Sequence, residues 1–370
     1  MNTVMQHTKD PLLRIAKRDG IARPWAYTIR IIAVLLSLVV SGVFIFAVTK
    51  LNPLQVYEAM FDGAFGTSRR SWVTIRDAMM LLCIGVGLAP AFKMKFWNIG
   101  AEGQILVGGI VTAGFMRFFG GSISTPALLV IMAVMSLLAG CVWGVIPATF
   151  KAFWNTNETL FTLMMNYVAI QITSYCVALW ENPVGSNTVG VINQQTKYGW
   201  FPSIFGQANT LNVILVMLLT VGMFLYLKYS KQGYEITVVG DSVNTARYAG
   251  INVKKVTIRT MAISGAICGL AGFIAVAGAS HTISTSTAGG RGFTAIIVAW
   301  LAQFNTFVMI LISFLLVFLQ KGAIQIASQF NLNDYASNII TGIILFFILG
   351  SEFFINYRVI LRGGKEADGK

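Results

Sequence analysis

The sequence predicts an all-α, polytopic membrane protein with about ten transmembrane helices and both termini in the cytoplasm. Three observations carry that reading. Of 370 residues, 56% are hydrophobic and 11% charged, where a soluble domain holds about 25% charged residues. The mean hydropathy is +0.71. The apolar residues gather into ten runs, most of them near the roughly 20 residues that cross a bilayer as a helix.

Taken in chain order, residues 1–26 form a polar, basic tail, and the first run, 27–48, lacks a following small-residue cleavage pattern, so it reads as a retained span. Further runs occupy 72–92, 98–118, 126–150, 157–180 and 211–227. The pattern resumes at 258–279, shortens to 293–302, and closes with 307–320 and 336–357. The membrane domain is thus expected over 27–357, with a second tail at 358–370. Between spans, 181–210 is polar and rich in glycine and proline, long enough for a small external cap. The segment 228–259 is basic, and its stretch 242–249 suits a short helix.

The net charge of +13 comes from 27 Lys and Arg against 14 Asp and Glu. Nucleic-acid binding would interleave such charge with exposed aromatics, but here it sits just beyond apolar runs. With the N-terminus inside, nineteen of the basic residues fall on cytoplasmic segments and eight outside, as the positive-inside rule requires. Arg69 and Arg70 are a local exception. Cys83, Cys141, Cys176 and Cys268 all lie within apolar runs, which implies neither a disulfide framework nor a zinc site. The chain holds no GxxxxGK[ST] loop and no HExxH, and with His7 and His281 its only histidines it offers no Ser/His/Asp set. Energy for any uphill work must come from a partner or an ion gradient.

Three polar clusters interrupt the apolar pattern. Asn98, Glu102 and Gln104 open the third span, where a carboxylate near mid-bilayer costs about 2.5–3.5 kcal/mol and so must face protein or water. Asn98 as an N-cap and Glu102 in the first helical turn also suit a purely structural role. The fifth span opens on Asn155, Asn157 and Glu158, where Asn155 with Glu158 three residues on matches a capping box. Thr162 and Asn166 then share one helix face, which either bonds a neighbouring helix or borders water. The third cluster, 281–292, is rich in glycine and hydroxyls and precedes an apolar run of about ten residues, the pattern of irregular backbone feeding a half-helix. An ordinary external loop is the alternative. Phe96, Trp97, Phe293 and Trp300 are candidates for stacking on a planar or sugar-like ligand, or for helix packing.

These residues resemble a known family. Asn98-Ile-Gly-Ala-Glu-Gly-Gln104, the run 157–167, Ala246-Arg-Tyr-Ala-Gly-Ile251 and Gly292-Phe-Thr-Ala-Ile296 are similar to the membrane permeases of bacterial ABC importers of the ribose and nucleoside type, distantly akin to branched-chain amino acid permeases. The resemblance implies a ten-span type II importer fold, a pore of two permeases, two ATPase subunits inside, and a substrate-binding lipoprotein or periplasmic protein outside. It implies that Gly240, Ala246, Arg247, Tyr248 and Gly250 dock the ATPase, although Ser242 stands where the family pattern has Asn and Thr245 where it has Ala. It also implies that ATP and Mg bind on the partner ATPase, leaving this chain without a cofactor.

The expected function is therefore ATP-driven import, across the bacterial cytoplasmic membrane, of a nucleoside or related sugar-like neutral solute. The pathway residues expected are Asn98, Glu102, Gln104, Asn157, Glu158, Thr162, Asn166, Phe293 and Trp300. Neutral polar groups suit an uncharged polar solute, since they exchange hydrogen bonds without stranding a desolvated charge. Whether the second permease is a sister or another copy is left to a lean toward the heterodimer. The competing expectation is an ion-gradient-driven carrier or channel with Glu102 and Asp77 as ion sites.

Overall fold

A computed structural model describes residues 13–18, 23–204, 206–207, 209–332 and 334–361. Most of the two expected tails, including His7, lies outside these residues. Thirteen α-helices, one π-helical turn and a two-stranded ribbon make up the described chain, which divides into two units, one of residues 1–64 with 319–370 and the other of 65–318.

In the first unit, β1 (Leu13–Lys17) pairs antiparallel with β2 (Tyr357–Leu361), so the two ends of the chain run side by side. Between them come α1 (Arg23–Thr49) and α2 (Pro53–Phe65), and at the other end α13 (Asp334–Asn356), which packs along α1. Neither α2 nor the ribbon stands out in the apolar pattern. The 13 residues of α2 are too few to span a bilayer, and its buried face of Val56, Ala59, Met60 and Ala64 alternates with Glu58 and Asp62.

The second unit contains α3 (Ser68–Lys93), α4 (Ala101–Phe119), α5 (Thr125–Trp154), α6 (Glu158–Trp180) and α7 (Thr210–Tyr229). After these come α8 (Lys231–Asp241), α9 (Val243–Tyr248), α10 (Val253–Ala275), the π-turn Val276–Ser280, and α11 (Arg291–Leu301). The 24-residue α12 (Thr306–Gln329) begins in this unit and ends in the first. Among the described residues, seven helices are long and apolar enough to cross a membrane: α1, α3, α5, α6, α7, α10 with its π-turn, and α12. The 19-residue α4 is long enough, but Glu102, Gln104, Arg117 and four glycines dilute its apolarity.

The centre of the second unit is α10, packed on α3, α4 and α5. Both α3 and α10 are buried over most of their length, whereas α5, α6 and α7 expose one broad apolar face each. Between apolar helices in lipid, close approach must supply much of the attraction, and small residues allow it. Here Gly140 of α5 and Gly265 and Gly269 of α10 meet backbone to backbone. A Cβ on Gly269 would collide with the Ser136 carbonyl and stand 2.9 Å from the Gly140 Cα. This crossing fixes the depth at which every polar group on α10 meets its neighbours.

Candidate functional site: a broken crossing held by Glu102

The chain leaves α3 at Lys93 and does not enter α4 at once. Residues 95–99 run without helix and lead into the N-cap of α4, Gly100, whose amide donates to Asn98 Oδ1 at 3.0 Å. Asn98 Nδ2 donates to Ser264 Oγ at 3.2 Å. Ser264 lies eleven residues beyond the start of α10, about 16 Å along its axis. The start of α4 is therefore set well inside the helix bundle, with α10 extending past it in both directions.

Four orphan amides normally open a helix, and at the start of α4 the neighbouring α6 takes one of them, Gly103, together with the backbone of Ile99 just before it. From α6, Asn166 Oδ1 accepts from Gly103 N at 2.8 Å while its Nδ2 donates to Ile99 O at 2.9 Å. Thr162 Oγ1 accepts from Ile99 N at 3.2 Å and donates to Glu158 O at 2.8 Å. The shared face of Thr162 and Asn166 thus bonds a neighbouring helix start. Asn98 and Gln104 also pair through their amides at 3.4 Å.

Glu102 reaches away from its own helix. Its Oε1 accepts from Gly290 N at 2.7 Å and its Oε2 from Gly292 N at 2.8 Å. These are the first amides of α11, so one buried carboxylate lies against the positive ends of two helix dipoles and accepts two charge-assisted bonds. Gly292 is required, because a Cβ there would stand 2.6 Å from the Glu102 backbone nitrogen. The sequence suggested a role for Glu102 within its own first turn or along a pathway, but not this bridge over 188 residues.

The 281–292 segment is the irregular lead into a half-helix. It leaves the π-turn at His281, in the left-handed region at φ 53°, and descends through turns to Gly290 beside Glu102. The 11-residue α11 continues from there, and its Trp300 stacks on Trp97 at 5.3 Å and meets Phe92, in the last turn of α3, edge-on at 6.2 Å. Segment and half-helix together run from one end of α10 to the far end of α3. Trp97, Phe293 and Trp300 each keep close to half their surface exposed.

The other expected pathway residues sit at the α5–α6 turn. Asn155, in the left-handed region, is the C-cap of α5, and Asn157 is the one that caps α6, accepting from Leu160 N at 3.1 Å. Glu158 pairs with Lys151 at 3.0 Å. The capping box expected from Asn155 is thus replaced by a single Asn cap two residues later, because α5 runs to Trp154 and uses Asn155 to stop.

One feature escaped the sequence reading. Arg76 and Asp77 in α3 are ion-paired at 3.0 Å, and they face the hydroxyls of the π-turn and of the 281–292 segment across a cavity of about 260 Å³. The cavity is a tertiary product: α3 supplies the charges, and residues some 200 positions later supply the hydroxyls. Beyond it, His281 stacks flat on Trp200 at 3.7 Å and 3°.

At the opposite end, α9 forms a six-residue helix capped by Ser242, whose Oγ accepts from Thr245 N at 3.2 Å. Ala246 is wholly buried, while Arg247 is exposed and Tyr248 is 94% exposed. Gly240 packs on the Lys93 carbonyl with no room for a Cβ, and Gly250, at φ 75°, turns the chain back toward α10.

A buried helical core with a helix start set inside it, and an exposed short helix on a loop, suit the class of membrane transport subunits. The comparisons agree. Residues 73–349 match the family described as the permease component of branched-chain amino acid transport systems, and the chain belongs to that family. It is 30% identical to the guanosine ABC transporter permease of Bacillus subtilis, over 87% of this chain and 92% of that one. It is 28% identical to a glucose ABC transporter permease of Haloferax volcanii, over 94% and 93%, and 27% identical to a nucleoside ABC transporter permease of Lactococcus lactis, over 80% and 84%. No solved structure matches at a significant level. The chain is an ABC transporter permease subunit, not an enzyme, and a multi-pass membrane protein. ATP hydrolysis belongs to a separate ATPase, and a substrate-binding protein completes such a system. Family membership overturns the competing gradient-driven carrier.

Proposed function

We propose that the chain forms the translocation pore of an importer for a nucleoside or a related sugar-like neutral solute, and that α9 is its coupling helix to the ATPase. The observation that carries this reading is the form of α9: a capped turn pinned by Ala246 that holds Arg247 and Tyr248 out for a partner. The relatives' named solutes, guanosine, nucleosides and glucose, are all polar and uncharged, in keeping with the amide and hydroxyl groups around α4.

In this reading the chain crosses the cytoplasmic membrane of a bacterium ten times, with 27–357 as the permease domain. The ten crossings are the seven long helices, α4, α13, and the broken crossing of 281–292 with α11. Both tails and the 228–259 loop face the cytoplasm, and 181–210 forms an external cap. The β1–β2 pairing supports one shared side for the tails, and the distribution of Lys and Arg supports the cytoplasmic one. Asn98, Glu102, Gln104, Asn157, Glu158, Thr162, Asn166, Phe293 and Trp300 frame the pathway, the amides and Glu102 by holding the broken crossing open at depth. Gly240, Ala246, Arg247, Tyr248 and Gly250 form the docking element. A sister permease completes the pore.

Reconstitution with the cognate ATPase and binding protein tests the coupling. Arg247→Glu should lower solute-stimulated ATP hydrolysis about tenfold or more, the scale of a buried charge reversal at an interface, with assembly intact. Unchanged coupling would remove α9 from the mechanism.

A further inference from the structure

We propose that the cavity bounded by Arg76, Asp77, Ser280, Thr282, Ser284 and Arg291 is a transit subsite that grips the vicinal hydroxyls of a pentose-like ring. The inference deepens the function proposed above and rests on it. Asp77 is buried, with a side chain 9% exposed, and its Oδ1 takes both Arg76 Nε at 3.1 Å and a terminal Arg76 nitrogen at 3.0 Å. A carboxylate beside a guanidinium offers strong acceptors and donors within one hydroxyl spacing, the chemistry that adjacent hydroxyls, each both donor and acceptor, can satisfy together.

The opposite wall is built of groups with the same dual character. Ser284 Oγ bonds Ser286 Oγ at 3.0 Å and Thr287 Oγ1 at 3.3 Å, and Ser280 Oγ bonds Thr282 O at 2.9 Å. The π-turn that presents Ser280 is a form of helix found frequently at functional sites. The charged groups on the lining are Arg76, Arg291 and Asp77; Asp77 takes up Arg76, and Arg291 donates to the Thr287 carbonyl at 3.5 Å. Size argues for one ring: about 260 Å³ lies below the 300–1,000 Å³ of pockets for drug-sized ligands. A planar base would remain outside the cavity.

The test uses the complete transporter in liposomes with its own binding protein. Uptake of a ribonucleoside is measured against its 2′-deoxy counterpart, for the unaltered permease and for Asp77→Asn. The subsite predicts that Asp77→Asn lowers uptake of the ribonucleoside about tenfold, the worth of one hydrogen bond to a charged group, while uptake of the 2′-deoxy solute falls by less than about twofold. Because Asp77→Asn can disturb α3, a second measurement uses the Ser286→Cys variant, where millimolar ribose or ribonucleoside should slow maleimide labelling and the 2′-deoxy forms should not. Equal losses for both solutes with no protection of the engineered thiol would make the ion pair a structural element and overturn the subsite. If the unaltered transporter carries neither nucleoside nor sugar, the proposed function fails first, and it does so before any substitution is made.

Discussion

Glu102 shows how one side chain can organise a site that no local pattern reveals. Its carboxylate closes two amides of α11 while belonging to the first turn of α4. Glu102→Ala should therefore release α11 from α4. Hydrogen bonds to a charged acceptor are worth about 1.5–3 kcal/mol each, so a loss of about 3 kcal/mol or more is expected, read as a lowered Tm in detergent. Glu102→Gln should lose less, since one amide oxygen can keep one of the two bonds. At this scale the sequence pointed to the right polar residues and misassigned some partners. It placed the cap of α6 on Asn155 where Asn157 supplies it, because where α5 stops depends on its packing.

At the scale of elements, the long apolar runs and the observed helices coincide closely, since a segment that must satisfy its own backbone in lipid has little choice but to be helical. The short elements were harder. The stretch 242–249 was read as a short helix and α9 occupies 243–248, but α2, α8 and the β1–β2 ribbon carry no such signal, and their formation depends on what they pack against. Helix crossings supply a sharp test. Gly269→Leu on α10 drives a side chain into the Ser136 carbonyl and Gly140, where overpacking costs about 1–3 kcal/mol or more. Gly222→Leu on α7 enters open space and should change Tm by little. Should the two variants behave alike in thermal unfolding in the same detergent, the close α5–α10 contact would not be what holds the unit together.

For the whole molecule, the proposed arrangement demands that the α9 end and the 181–210 cap lie on opposite sides of the membrane. In a background freed of its native cysteines, Tyr248→Cys should react with an impermeant maleimide only in inside-out vesicles, and Ser186→Cys only in right-side-out ones. The same dependence on partners predicts that purified permease alone, in vesicles under a proton or sodium gradient, moves no solute uphill. Accumulation there would break the assignment of energy to the ATPase.

The sequence by itself determined that the chain is a helical, multi-pass membrane protein, because apolar run length and charge placement are local properties of the chain. It also located the polar clusters, since uncompensated polar groups are costly in hydrocarbon wherever they fall. Only the tertiary structure decided what those clusters do: that Glu102 bridges two helix starts, that Thr162 and Asn166 serve the backbone of α4, and that Arg76 and Asp77 share a cavity with hydroxyls some 200 residues away. The physical reason is that a hydrogen bond or an ion pair is settled by distance, and distance between remote residues is set by how glycine-lined helices cross.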